Sequence, residues 1–253
     1  MTAPAVPGPL VHAPNFRDIA GIEVGGRRVV AGRIFRSGVF DLLDDHDRSV
    51  IRAIGLKTAI DLRADDERAA RANALPPGVA QYHLPVTDVS AHPNTIMERL
   101  AAGDTDGLGA PMLIRGNRYF VEQQASRFGS VVRMLLDPGH HPAVVHCTAG
   151  KDRTGFAIAC VLWALGADHE VVIADYLRTN EVMAARHERT LAEAIERGID
   201  PRPLAEMLRV DRRYLDEARA AAIERHGSLD AFVRDGLEID EATRARGREH
   251  LLG

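Results

Sequence analysis

The chain has 253 residues, 45% of them apolar and 27% charged, with a formal net charge of −4. This length and composition fit one globular domain with a substantial core, while the acidic balance argues against a protein that coats nucleic acid. No run reaches the roughly 20 continuous apolar residues of a membrane helix, so stable membrane insertion is not expected, and the N-terminus lacks the cationic start and apolar run of a secretory signal.

Residues 1–14, MTAPAVPGPLVHAP, read as a flexible Pro-rich lead, leaving 15–253 as a single domain. RRVVAGRIFRS (27–37) has the apolar, β-rich character of a strand, and DDHDRSVIRAIG (44–55) reads as a helix with Val50, Ile51 and Ile54 on one face. Further strands are expected at GLKTAIDL (55–62) and VAQYHLPV (79–86). A helix over 117–137 follows and stops at the turn-forming DPGHHP; PAVVHC (142–147) is the last strand. Alternating strands and helices predict an α/β three-layer sandwich around a mostly parallel sheet, with TAIDL and AVVHC as central strands covered on both faces. Beyond residue 153 the pattern is helical, broken by DPRP (200–203), with Gly227 as a C′ glycine after RRYLDEARAAAIERH. The portion 168–253 exceeds one cover layer, and serves either as a subdomain completing the core or as a lid over the strand ends.

The stretch VVHCTAGKDRTGFAIAC (144–160) carries the chemistry. Lys57 and Lys151 are the only lysines among 32 basic residues, so arginine is the default at 151 and this position calls for something arginine does not supply. A strand, a short loop and a helix in this order direct backbone N–H groups and the positive end of the helix dipole at one point, which makes an anion site. A nucleotide-binding loop of the G-x-x-x-x-G-K-[ST] kind fails twice, at Val145 and at Asp152. What remains is C-x₅-R, from Cys147 to Arg153. The amides of Thr148, Ala149, Gly150, Lys151 and Asp152 would cradle a phosphate, with Arg153 gripping two of its oxygens as a fork. Cys147, as thiolate, would lie in line for attack on phosphorus. Thr154 offers a hydroxyl to the sulfur, and His146 would order the loop from behind. Cys160, inside an apolar helix, reads as an inert small hydrophobe. The lone HC step lacks the ligand spacing of a zinc site, so neither metal nor cofactor is expected. Two cysteines without a disulfide framework suit a reducing, cytoplasmic location, with export by a non-classical route left open.

HCTAGKDRTG resembles the signature of cysteine-dependent phosphatases, specifically the bacterial tyrosine and lipid phosphatases of the mycobacterial protein tyrosine phosphatase B type. NFRDIAG (15–21), GRIFRSG (32–38), GLKTAIDLR (55–63), YLRTN (176–180) and RRYLDEARAAAIERHGSLDAFV resemble segments of the same family. The resemblance implies a cysteine-phosphatase fold, no metal, and a helical lid beyond the loop. It also implies a protein-tyrosine phosphatase of dual or broad specificity, working through a cysteinyl-phosphate intermediate on phosphotyrosine protein, phosphoinositide, or both. Members with lysine and aspartate at these loop positions often accept phosphoinositides, and a compact ammonium at Lys151 could meet a second phosphate on an inositol ring.

Expelling the leaving oxygen calls for a proton donor. Asp61, at the end of TAIDL, and Asp152, inside the loop, are nearly equal candidates, and Asp88 is a third. Arg17, Asp18, Arg36 and Ser37 are candidates for buttressing the loop, and Arg63 for facing its mouth. Two other classes compete: a phospho-recognition module without turnover, which would need no thiol, and a sulfur-transfer or arsenate-reducing enzyme, for which Cys160 is poorly placed. The sequence sets no oligomeric state.

Overall fold

Alternate residues along three short buried strands face opposite cores, and this alternation fixes the layers. A computed structural model describes residues 10–87 and 93–253. In chain order it has β1 (Arg17–Asp18), the hairpin β2 (Glu23–Val24) and β3 (Arg27–Arg28), β4 (Ile34–Ser37), α1 (Asp45–Ile54), β5 (Thr58–Asp61), α2 (Asp65–Ala70) and β6 (Ala80–His83). Then come α3 (Pro93–Ala101), α4 (Ala110–Gln123), α5 (Ala125–Leu136), β7 (Ala143–His146) and α6 (Asp152–Leu165). The chain ends in α7 (His169–Val182), α8 (Ala184–Glu196), α9 (Pro201–Leu208), α10 (Arg212–His226), α11 (Leu229–Ala231) and α12 (Glu241–Leu251).

The main sheet has five strands in the order β1-β4-β7-β5-β6. The last four pair in parallel and β1 runs antiparallel to β4. On one face Phe35, Ala59 and Val144 pack with Val50 and Ile51 of α1. On the other, Ile34, Ile60 and Val145 join a larger core with Phe120, Phe128 and Phe156 from α4, α5 and α6. Register aligns Ser37, His146 and Asp61 in one row at the carboxyl ends of the strands, the edge where open α/β sheets gather ligands.

Several expectations are corrected. The strand over 27–37 splits, because the chain turns through Gly32 at φ 75° and leaves β3 in a hairpin and β4 in the main sheet. The helix over 117–137 is two helices hinged at Gln124 (φ −121°, ψ 6°), with Phe120 and Phe128 edge-to-face across the joint at 5.4 Å. DPRP begins a helix, since α8 has already closed at Glu196, Asp200 accepts the N–H of Arg202 and Pro201 opens α9. Of the stretch 1–14, residues 10–14 are described, and they are tied to the domain. Leu10 and Ala13 are buried against Phe35 and Phe40, and Asp47 accepts the N–H groups of Val11 and His12 at 2.7 and 3.2 Å.

α6 is apolar all round because it is buried all round, every residue from Thr154 to Leu165 being enclosed. Tyr176 of α7, Tyr214, Leu215 and Ala218 of α10, Phe232 and Leu251 belong to the same core, so much of 168–253 completes it. α8 differs, burying only His187 and Ala194. Among the described residues no helix is long and apolar enough to cross a membrane.

Candidate active site

β7 delivers His146 and Cys147 to the carboxyl edge of the sheet, and α6 starts five residues after the cysteine, at Asp152. Between them the loop lies directly on the end of β4. Gly150 adopts φ 68°, and a Cβ there would sit 2.5 Å from the carbonyl of Ser37, so only glycine fits. The N–H of Val39 donates to the carbonyl of Thr148 at 3.1 Å. No side chain caps the start of α6, so its first amides are directed at the loop, as an anion site requires. Cys147 is 3% exposed at the base of this turn.

Arg153 is held from outside the loop. Its Nη1 and Nη2 donate to Glu67 at 2.6 and 2.7 Å, and the hydroxyl of Thr148 donates to the same carboxylate at 2.5 Å. The N–H of Ala64 completes the set at 2.9 Å. Burial alone would push this carboxyl up, but the hydrogen bonds and charge of Arg153, with Thr148 and Ala64, bring it down to about 2. Glu67 thus ties Thr148 and Arg153, the first residue after the cysteine and the last of the motif, to the start of α2. Sequence reasoning missed it, although it stands in the DLRADDE stretch singled out for Asp61.

Asp61 is not placed as a proton donor, which corrects that expectation. Its carboxylate turns beneath the sheet edge and accepts from Arg63 Nε and Nη2 at 2.9 and 2.7 Å and from Asn73 at 3.2 Å. Burial pushes the carboxyl up, yet the Arg63 hydrogen bonds and the neighbouring charges keep it below the usual range, so it is held ionised. Arg63 is correspondingly buried against Asp61, Asn73 and the carbonyl of Arg71, and does not face the mouth. Asp88 lies outside the described residues.

His146 is fully buried at the end of β7. Asn73 donates toward its Nε2 at 3.2 Å, which leaves Nδ1–H directed at the carbonyl of Cys147 at 3.4 Å. Burial pushes its pKa down to about 4, against 6.5 for an ordinary imidazole, and burial does the same to His141. The unfolded chain protonates both rings below about 6.5, whereas the folded one keeps them neutral until about 4. Stability should therefore fall with pH across that window, by on the order of 3 kcal/mol per histidine. Urea unfolding at intervals from pH 7 to 4 checks this, and His146→Gln should flatten part of the decline.

Asp152 opens α6 with its side chain 21% exposed, and Lys151 Nζ holds its Oδ1 at 2.8 Å. The same ammonium reaches the carbonyl of Arg209 at 3.4 Å and is nearly enclosed, so Lys151 links the loop to the segment before α10. Thr154 is buried and its hydroxyl makes no hydrogen bond among the described residues, the sulfur of Cys147 included, which corrects that expectation. Cys160 is fully buried, and burial pushes its thiol well up. Of the four buttress candidates, Arg36 donates to the carbonyl of Gly150 in the loop, Arg17 reaches Asn15 and Asp175 and not the loop itself, Asp18 instead caps the N–H groups of Ala20 and Gly32, and the buried hydroxyl of Ser37 has no described partner.

Comparison with known proteins bears on the same loop. A tyrosine phosphatase family model matches residues 9–253. The triple specificity protein phosphatase PtpB of Mycobacterium tuberculosis is 34% identical over 277 aligned positions, covering 96% of this chain and 98% of that protein. A protein of Cupriavidus necator named as a tyrosine-protein phosphatase is also 34% identical, over 90% of this chain and 83% of its own length. Among solved structures, the catalytic domain of the PP-IP phosphatase SIW14 from S. cerevisiae aligns with 68% of this chain and 79% of its own at 15% identity and a TM-score of 0.39. The family match runs along almost the whole length and includes this loop, and the chain belongs to the tyrosine phosphatase family, as a phosphomonoester hydrolase.

Proposed function

We propose that Cys147 is the nucleophile and that Asp152 moves the protons. In the first step the Cys147 sulfur bonds to phosphorus, the bond from phosphorus to the leaving oxygen breaks, and Asp152 donates a proton to that oxygen. In the second, water attacks the phosphoenzyme, the sulfur departs, and the water's proton passes to Asp152. Arg153 and the amides from Thr148 to Arg153 neutralise the charge on the transferring group. The observation that carries this reading is the loop itself, an uncapped helix start beside Cys147 with Arg153 already oriented by Glu67.

Phosphotyrosine in proteins is the substrate this reading favours, with phosphoinositides as a second class. Lys151 supports the lipid extension, being an ammonium within the loop of a chain that has one other lysine, Lys57. The portion 168–253 acts in part as a cover, in which α8 buries only His187 and Ala194 and the carbonyl of Arg209 accepts from Lys151. The chain works as a single domain in the cytoplasm. Assaying phosphotyrosine peptide, phosphoserine peptide and phosphoinositides with wild type and Cys147→Ser tests the assignment. Turnover of none of the three by wild type would overturn it.

The two carboxylates separate by leaving group. Asp152→Asn should slow aryl phosphates with poor leaving groups by roughly 10²-fold, with a much smaller effect on p-nitrophenyl phosphate. Asp61→Asn should slow all substrates alike, through a weakened hold on Arg63. A plot of log kcat against leaving-group pKa, steepened by Asp61→Asn and unchanged by Asp152→Asn, would reverse the roles.

A further inference from the structure

NFRDIAG, GRIFRSG and HCTAGKDRTG meet at one atom. The Asn15 side chain donates to the carbonyl of Gly150 at 2.6 Å, and Arg36 Nη2 donates to the same oxygen at 3.0 Å. Arg36 is fully buried and its Nη1 donates to Asp175 of α7 at 2.8 Å. Arg17 closes the arrangement, donating to the Asn15 side-chain oxygen and, at 3.1 Å, to the carbonyl of Asp175. Asn15 stands at φ 60°, a left-handed conformation that asparagine tolerates better than most residues.

A trans peptide points its C=O and its N–H in opposite directions. Holding the Gly150 carbonyl at the back of the loop therefore aims the Lys151 N–H out of the front. Val39 does the same for the Ala149 N–H by donating to the carbonyl of Thr148. Glycine at 150 makes this anchoring necessary, because the one residue the site admits is also the one whose flanking peptides reorient most freely. A reversed peptide here would present a carbonyl oxygen to the bound anion in place of a donor.

We propose that Asn15 and Arg36 are positioning residues that fix the orientation of the Gly150–Lys151 peptide, so that the Lys151 amide faces the transferring phosphoryl group. Asp175 extends the same lock to α7, giving the helical portion a direct hold on the loop. The inference rests on the phosphatase reading of the loop.

Two substitutions at Asn15 isolate the effect. Asn15→Asp keeps the size and an oxygen for Arg17 but removes the donor to Gly150; Asn15→Gly keeps the backbone conformation and removes the side chain. Both should weaken inhibition by tungstate about tenfold or more and lower kcat by roughly 10²-fold, the lower end of the range for losing an oxyanion donor. The thermal midpoint should move little, and KM less than kcat. A residue serving structure alone would shift the midpoint and leave tungstate affinity intact. Wild-type tungstate inhibition in both variants, or loss of fold in both, would overturn the proposal. Turnover by Cys147→Ser would instead strike the reading of the loop, so the two failures are distinct.

Discussion

Cys147→Ser should reduce turnover of p-nitrophenyl phosphate by roughly 10⁴-fold or more, because a serine hydroxyl is not ionised at neutral pH and would need a base to deprotonate it. His146 cannot take that part, since its Nε2 is engaged by Asn73 and its Nδ1 by a carbonyl. The substituted protein should still bind tungstate within a few-fold of wild type, because the amides and Arg153 that hold the anion are untouched. Rapid quenching of the wild type should reveal a burst of nitrophenol equal to the enzyme concentration, and the serine variant should show none. A binding module without turnover would give neither burst nor steady state. Retention of turnover by the variant would remove the sulfur from the mechanism.

Arg153→Ala should cost both activity and stability. Loss of a guanidinium that neutralises a transferring phosphoryl group is worth roughly 10³-fold or more in kcat. The same change leaves Glu67, only 11% exposed at its side chain, with a buried charge and no guanidinium to meet it. Breaking such a pair costs about 3 kcal/mol, the lower end for buried ion pairs. Adding Glu67→Gln to Arg153→Ala should restore much of the stability and none of the turnover. Glu67→Gln alone should lower kcat by freeing the arginine from its fixed pose. Its stability relative to wild type should depend on pH with a definite sign. A carboxyl held at about 2 against 4.5 stabilises the folded state above about pH 4.5, and that contribution disappears as pH falls toward 2. Urea unfolding of the four proteins at pH 7 and pH 3 separates these effects.

The loop was legible because its parts are local. Cys147 and Arg153 lie six positions apart, flanked by a buried strand and a buried helix that announce themselves by composition. Glu67 was not, since its partner is 86 positions away and nothing nearby marks it apart from the other acidic residues of DLRADDE. Asp61 shows the opposite failure. Its place at the sheet edge was readable, but the direction of its side chain depends on Arg63 and Asn73 closing round it. Arg36 was flagged as a buttress, yet its target, a single backbone oxygen of Gly150, comes from the parallel pairing of β4 with β7, a contact between segments more than a hundred residues apart. The boundary at Gln124, where one helix became two, is marked by no glycine or proline.

The contact between the loop and β4 bears on any effort to make this protein hardier. Replacing glycines with alanine is a standard stabilising measure because it stiffens the denatured chain. Gly38 looks suited to it, having an ordinary negative φ, yet an added methyl would meet the Thr148 carbonyl at 2.8 Å and Pro14 at 2.6 Å. That methyl would act as a wedge under the nucleophile's own turn. A campaign guided by backbone angles alone would select this position and yield a less stable, inert protein.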